Sequence, residues 1–228
     1  MLNNLKIIDL TFSYHKSASP VFSNLNYEFN SGDIVGLYGR NGSGKTTLLN
    51  CLSSYYKPTK GGIIINGEKI DKDRKDIAII SAHVDLFEYL DIVDNIKFFL
   101  EFYQQTYNKI EISDLLEKYK LTDYKNRYVF EASKGMLKKT QIIIALLLKP
   151  KLLLGDEPID GLDEESQLTF FDDIKMFSNQ YGTIVIYSLH DLRLLKKTTN
   201  KIIFLNDSKS NSQPDSAEFA TLSNHLEF

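Results

Sequence analysis

Cysteine is nearly absent: Cys51 is the only one in 228 residues. That excludes a disulfide framework and fits a reducing compartment, where a lone cysteine reads as a small core residue. Positive charge is not in excess either. With a formal net charge of −3, no general field draws the chain to nucleic acid, so any phosphate binding has to be local. Long apolar runs are missing too. The longest, IIIALLL at 142–148, falls far short of the roughly 20 residues a membrane helix needs. The opening MLNNLKIIDL has neither the basic leader nor the unbroken apolar stretch of a signal peptide. The chain reads as cytosolic, without a span of its own and without internal repeats.

What is present suits one compact unit carrying an inserted subdomain, with 43% hydrophobic and 25% charged residues. The first part is strand-rich: KIIDLTFSY, IVGLYG and GIIINGEKI, the last with an Asn66-Gly67 pair suited to a tight hairpin turn. From DIVDNIKFFLEFYQQTY through EISDLLEKYKL the apolar spacing changes to three and four, which predicts an inserted helical subdomain at about 85–132. Strands and helices then alternate: KLLLGD, a helix from about Asp163, TIVIYS, a helix from about Asp191, and KIIFLN. That order predicts a parallel sheet covered by helices. The unit ends near 206, and the polar stretch at 207–228 reads as a loose tail.

IVGLYGRNGSGKTTLLN holds a full match to the Gly-x4-Gly-Lys-[Ser/Thr] pattern, after an apolar strand and before a helix. Gly39, Gly42 and Gly44, with Arg40, Asn41 and Ser43 between them, let successive backbone N–H groups curl toward phosphate oxygens. The helix N-terminus behind them adds partial positive charge. Lys45 is expected to reach the β- and γ-phosphates, Thr46 to hold Mg²⁺ through its hydroxyl, and Thr47 to serve the α-phosphate. Further on, LLLGDEP sets two carboxylates at the end of a buried strand, where ligands bind in open α/β sheets. Asp156 is expected to orient Mg²⁺, and Glu157 to polarise a water for attack on the γ-phosphate.

These two motifs together resemble the ATP-binding cassette family, the nucleotide-binding subunits of ABC transporters, over about residues 5–206. The resemblance implies an α/β P-loop NTPase core with an N-terminal antiparallel β region and an inserted α-helical subdomain. It also implies an ATPase using ATP and Mg²⁺. The family's signature, usually Leu-Ser-Gly-Gly-Gln, matches ASKGM here, so Ser133 and Gly135 take the positions that bind the γ-phosphate of an opposing subunit. The resemblance thus implies a head-to-tail dimer of cassettes, identical or not, with each ATP sandwiched between a cradle and a partner's signature. His190 matches the switch histidine, Asp163 the loop that crosses between sites, and Tyr14 the aromatic that stacks on adenine; a strand aromatic buried in the core is the other reading of Tyr14. Lys138 and Lys139 read as solvated residues.

One family position departs. No glutamine occurs between Asn66 and Tyr103, so Ala82 or His83 stands where the family carries the glutamine that touches Mg²⁺ or the attacking water. His83 reads either as a partial substitute or as a surface-loop histidine. Gly155 is also unusual and suggests room for close backbone approach. The Ser-Lys-Gly-Met form of the signature resembles cassettes of ABC-2-type exporters. The leading expectation is therefore an exporter's ATPase subunit, held at the cytoplasmic face of the cell membrane by separate integral membrane subunits, with no nucleic-acid partner. Frequent Asn, Lys, Ile and Tyr suggest a bacterial source. A soluble ATPase of cytosolic assembly, such as iron–sulfur assembly, and a slow regulatory ATP-binding module are the alternatives.

Overall fold

The computed structural model describes residues 4–15, 19–70, 76–82 and 86–205; His83 and the tail expected at 207–228 lie outside them. In chain order the strands are β1 (Asn4–Phe12), β2 (Phe22–Asn30), β3 (Ile34–Tyr38), β4 (Lys60–Ile65), β5 (Glu68–Lys69), β6 (Ile77–Ile80), β7 (Leu152–Asp156), β8 (Ile184–Ser188) and β9 (Lys201–Phe204). The helices are α1 (Lys45–Leu52), α2 (Ile92–Phe102), α3 (Lys109–Lys118), α4 (Lys134–Leu148), α5 (Glu164–Tyr181) and α6 (Leu192–Thr198).

Two sheets result. The antiparallel one runs β2-β1-β4-β5, and the other runs β6-β7-β8-β3-β9 with every pair parallel. The β4–β5 hairpin turns on Asn66 and Gly67, at φ 53° and 86°. Positive φ at both central residues is what a tight turn matched to strand twist requires.

Alternation along the parallel strands divides the core. Leu152, Leu154, Ile184 and Ile186 face the antiparallel sheet and α1, whereas Leu153, Val185 and Tyr187 face the helices. A side chain of Leu or Ile buried this fully contributes about 1.5–3 kcal/mol, so both faces of the sheet are held and its strand ends are left to carry chemistry. Cys51 belongs to the first of these cores, and burial pushes its thiol up to about 12.

Helix starts follow local chemistry. Asp91, Ser133, Asp163 and Asp191 each cap a helix by accepting a backbone N–H two or three residues on. The inserted helices α2 and α3 bury Ile92, Ile96, Leu100, Ile112 and Leu116 in the same core as α4. Asn95, fully buried, accepts the Phe87 N–H at 2.7 Å and donates to the carbonyls of Phe87, Leu90 and Asp91, which fixes the loop ahead of α2. The end of α3 is tied to α5 through Asp173, which accepts from Lys118 and, at 2.8 Å, from the Tyr119 hydroxyl.

Candidate nucleotide site

β3 runs straight into the cradle, and α1 leaves it. Gly44 caps α1 at φ 98°, and a Cβ there would lie 2.7 Å from Val21 Cγ1, so glycine is required on both counts. Arg40, Asn41 and Gly42 lie exposed at the rim, while Ser43, Gly44 and Lys45 are buried behind them. The Lys45 ammonium curls back over the loop and donates to the carbonyls of Gly39 at 2.7 Å and Arg40 at 3.2 Å. Ser43 Oγ is buried with no hydrogen-bond partner. An orphaned hydroxyl within the glycine-rich loop suits a phosphate oxygen.

Thr46 and Thr47 part company. Thr46 Oγ1 donates to Asp156 Oδ2 at 2.7 Å. Thr47 is buried, and its hydroxyl lies 2.8 Å from the Tyr14 hydroxyl. Tyr14 itself is 58% exposed, standing edge-on to Phe12 and Tyr56 just beyond β1. The reading of Tyr14 as a buried core aromatic is therefore corrected, because its ring lies past the strand end with a face open to solvent.

The carboxylates sit where β7 meets β8. Asp156 and Ser188 are register partners, and Ser188 Oγ donates to Asp156 Oδ1 at 2.7 Å while accepting the Glu157 N–H at 3.1 Å. Glu157 holds a left-handed φ of 48°, a strained state for a residue with a Cβ. Its carboxylate accepts from His190 Nε2 at 2.6 Å. Thr46, Asp156, Ser188, Glu157 and His190 thus form one continuous hydrogen-bonded line from the start of α1 across the ends of β7 and β8. Ser188 was missed in the sequence; its only signal there is a hydroxyl closing an apolar strand two residues before His190. Gly155 has its reason in the same place, since a Cβ would come within 3.0 Å of both Pro158 Cγ and Tyr187 Cβ.

The signature residues do not join that line. Ser133 caps α4, accepting the Met136 N–H at 3.3 Å. At Gly135 a Cβ would fall 2.6 Å from the Gly161 carbonyl oxygen, so α4 begins pressed against the loop that follows Glu157. Two ion pairs flank this contact: Lys134 with Asp160 at 2.6 Å and Lys139 with Asp163 at 2.8 Å. The Lys139 bond, helped by the Ser166 N–H, holds the Asp163 carboxyl below the usual carboxylate range.

The expectation that Lys138 and Lys139 are solvated is overturned. Lys138 is 5% exposed, and the Lys139 side chain is 11% exposed. The carboxylates that make this burial tolerable come from the 156–163 segment, far away in sequence. Ala82, one of the two residues expected where the family carries its glutamine, lines a cavity with Asp156 and Glu157; the other, His83, lies outside the described residues.

Comparison with known proteins agrees with this geometry. Residues 22–160 match the family described as ABC transporter. The chain is similar to YybJ, an uncharacterized ABC transporter ATP-binding protein of Bacillus subtilis, at 32% identity over 221 residues, covering 90% of this chain and 100% of the relative. It is also similar to the Fe(3+) ions import ATP-binding protein FbpC 1 of Haemophilus influenzae, at 31% identity over 218 residues. That match covers 92% of this chain and only 65% of the relative's length. Among solved structures, the dimeric bacterial ABC transporter cassette MJ0796 shares the fold, with a TM-score of 0.80 at 24% identity over 92% of this chain and 98% of that one. Because the matched stretch spans both the cradle and the Asp156–Glu157 strand, the chain belongs to the ABC transporter family, as an ATP-binding ATPase subunit.

Proposed function

We propose that this cassette hydrolyses ATP with Glu157 as the base, and that the reaction drives separate membrane subunits of an exporter. The hydrogen-bonded line from Thr46 through Asp156 and Ser188 to Glu157 and His190 carries the reading. It sets a carboxylate, already oriented by an imidazole, beside the phosphate cradle. Lys45 supplies positive charge at the phosphates, and the N-terminus of α1 adds to it. Tyr14 offers its exposed face to adenine.

Thr46 Oγ1 and the Asp156 carboxylate, 2.7 Å apart, are two hard oxygen donors that would hold Mg²⁺, an ion that takes its remaining ligands from water and phosphate. Bound there, Mg²⁺ would neutralise charge on the phosphates. Glu157 would take the proton of the attacking water, and His190 would keep the carboxylate aimed.

Ser133 caps α4 and Gly135 abuts Gly161 rather than the cradle, which supports a head-to-tail dimer in which they close on the partner's ATP. The fold's dimeric relative is consistent with this. For the membrane partner, exposed Phe87, Phe98 and Phe102 form a contiguous cluster, Phe87 edge-on to Phe98 and Phe98 stacked with Phe102, with ring centroids 4.4 and 6.3 Å apart. Such a cluster on a surface is suited to docking. Among the described residues no helix is long and apolar enough to cross a membrane. Export rests on the Ser-Lys-Gly-Met signature; the FbpC 1 relative is named for import.

Purification of the Glu157→Gln chain with ATP from native membranes tests the proposal. Recovery of a multi-span membrane protein is expected. Recovery of soluble partners alone would favour the cytosolic assembly reading, and an associated extracytoplasmic binding protein would favour import.

A further inference from the structure

Beside Glu157 lies a cavity of about 450 Å³, lined by Ala82, Lys134, Lys138, Asp156, Glu157 and Asp160 among others. Lys138 enters it from α4, one turn inside the helix start that presents Ser133. The side chain is 5% exposed. Burial pushes its amine below the usual lysine range; the carboxylates of Asp160, Asp156 and Glu157 act against that shift, and the charge of Lys134 reinforces it. Burying an ammonium that is not in a tight ion pair is costly, and an apolar side chain of the same length would fill the space at lower cost. Such a cost is characteristic of groups kept for function.

The same cavity is lined by Ala82. Ala82, one of the two residues expected in place of the family's glutamine, offers no polar side chain to Glu157. We infer that Lys138 is a positioning residue for hydrolysis, its buried ammonium fixing the direction of the Glu157 carboxylate in a site that lacks the usual glutamine. This rests on the reading of Glu157 as the base. Lys134 cannot replace it, because its ammonium is paired with Asp160 at 2.6 Å and its side chain is 65% exposed.

The test compares the full-length wild type, Lys138→Met, Lys138→Arg and Glu157→Gln for kcat, KM for ATP and Tm. Lys138→Met is expected to lower kcat about tenfold or more, as misorientation of a reacting group does. KM for ATP should change by less than about twofold, since the cradle is untouched. Its Tm should equal or exceed that of the wild type, and Lys138→Arg should recover most of the lost turnover. Wild-type kcat in Lys138→Met would overturn the inference. So would equal losses in the Met and Arg variants with lowered Tm, the signature of a packing role. Glu157→Gln separates the two claims: if it abolishes turnover while Lys138→Met does not, the base stands and the role of Lys138 falls. If wild type and Glu157→Gln hydrolyse ATP equally, both fall.

Discussion

Two buried serines give a matched test of the hydrogen-bonded line. Ser188 is fully buried, and its hydroxyl both donates to Asp156 and accepts from the Glu157 N–H. Ser178, on α5, is 1% exposed, and its hydroxyl has no partner. Ser188→Ala removes a hydrogen bond to a charged group, worth about 1.5–3 kcal/mol, and leaves a backbone N–H unsatisfied at about 1–3 kcal/mol. Asp156 retains the Thr46 bond, so the lower ends apply and the loss should be about 2.5 kcal/mol. Ser178→Ala removes a hydroxyl that was already unsatisfied, and should change stability by less than about 0.5 kcal/mol or raise it. With a urea slope of about 2 kcal/mol/M, Ser188→Ala should lower the unfolding midpoint by about 1.2 M and Ser178→Ala should barely move it. Turnover separates them as well. The Ser188 hydroxyl is one restraint on the left-handed Glu157 backbone, so its loss lets that residue relax and lowers kcat more than ATP affinity. Equal midpoints for the two variants, or full turnover in Ser188→Ala, would refute the argument.

Thr46→Val should weaken ATP binding about tenfold with Mg²⁺ present, and much less in EDTA, because it removes a metal donor and leaves the cradle; calorimetry in both buffers checks it. Asp173→Ala should destabilise by about 3 kcal/mol, since it strands the buried Tyr119 hydroxyl and breaks the pair with Lys118. Asp172→Ala, on the exposed face of the same helix, should stay within about 0.5 kcal/mol in the same denaturation assay. Asp163 has a lowered folded-state pKa, so its contribution is complete above the ordinary carboxylate value of about 4 and is lost as the pH falls below it. Stability measured from pH 6 to 2 should therefore fall less steeply for Asp163→Asn than for the wild type.

Much of this was legible because the signals are local. The cradle is a contiguous pattern, the β7 carboxylates end an apolar run, and the caps Ser133, Asp163 and Asp191 each precede a periodic segment. Strand β2 was not read. Its buried Phe22, Leu25, Tyr27 and Phe29 are interleaved with asparagines, and Asn24 sits at a left-handed φ of 52°, so only pairing with β1 makes it a strand. Ser188 escaped for a related reason: its role depends on register with Asp156 across the sheet. Lys138 and Lys139 looked solvated because a charged helix turn normally is, while Asp163, which pairs with Lys139, and the carboxylates that face Lys138 become neighbours only in the folded chain.

The most direct measurement is the nucleotide left on the purified chain after incubation with Mg²⁺ and ATP. If Glu157 activates the attacking water, wild type should retain ADP and Glu157→Gln should retain intact ATP. Equal proportions of ADP on the two proteins would contradict the account, whatever else the fold supports.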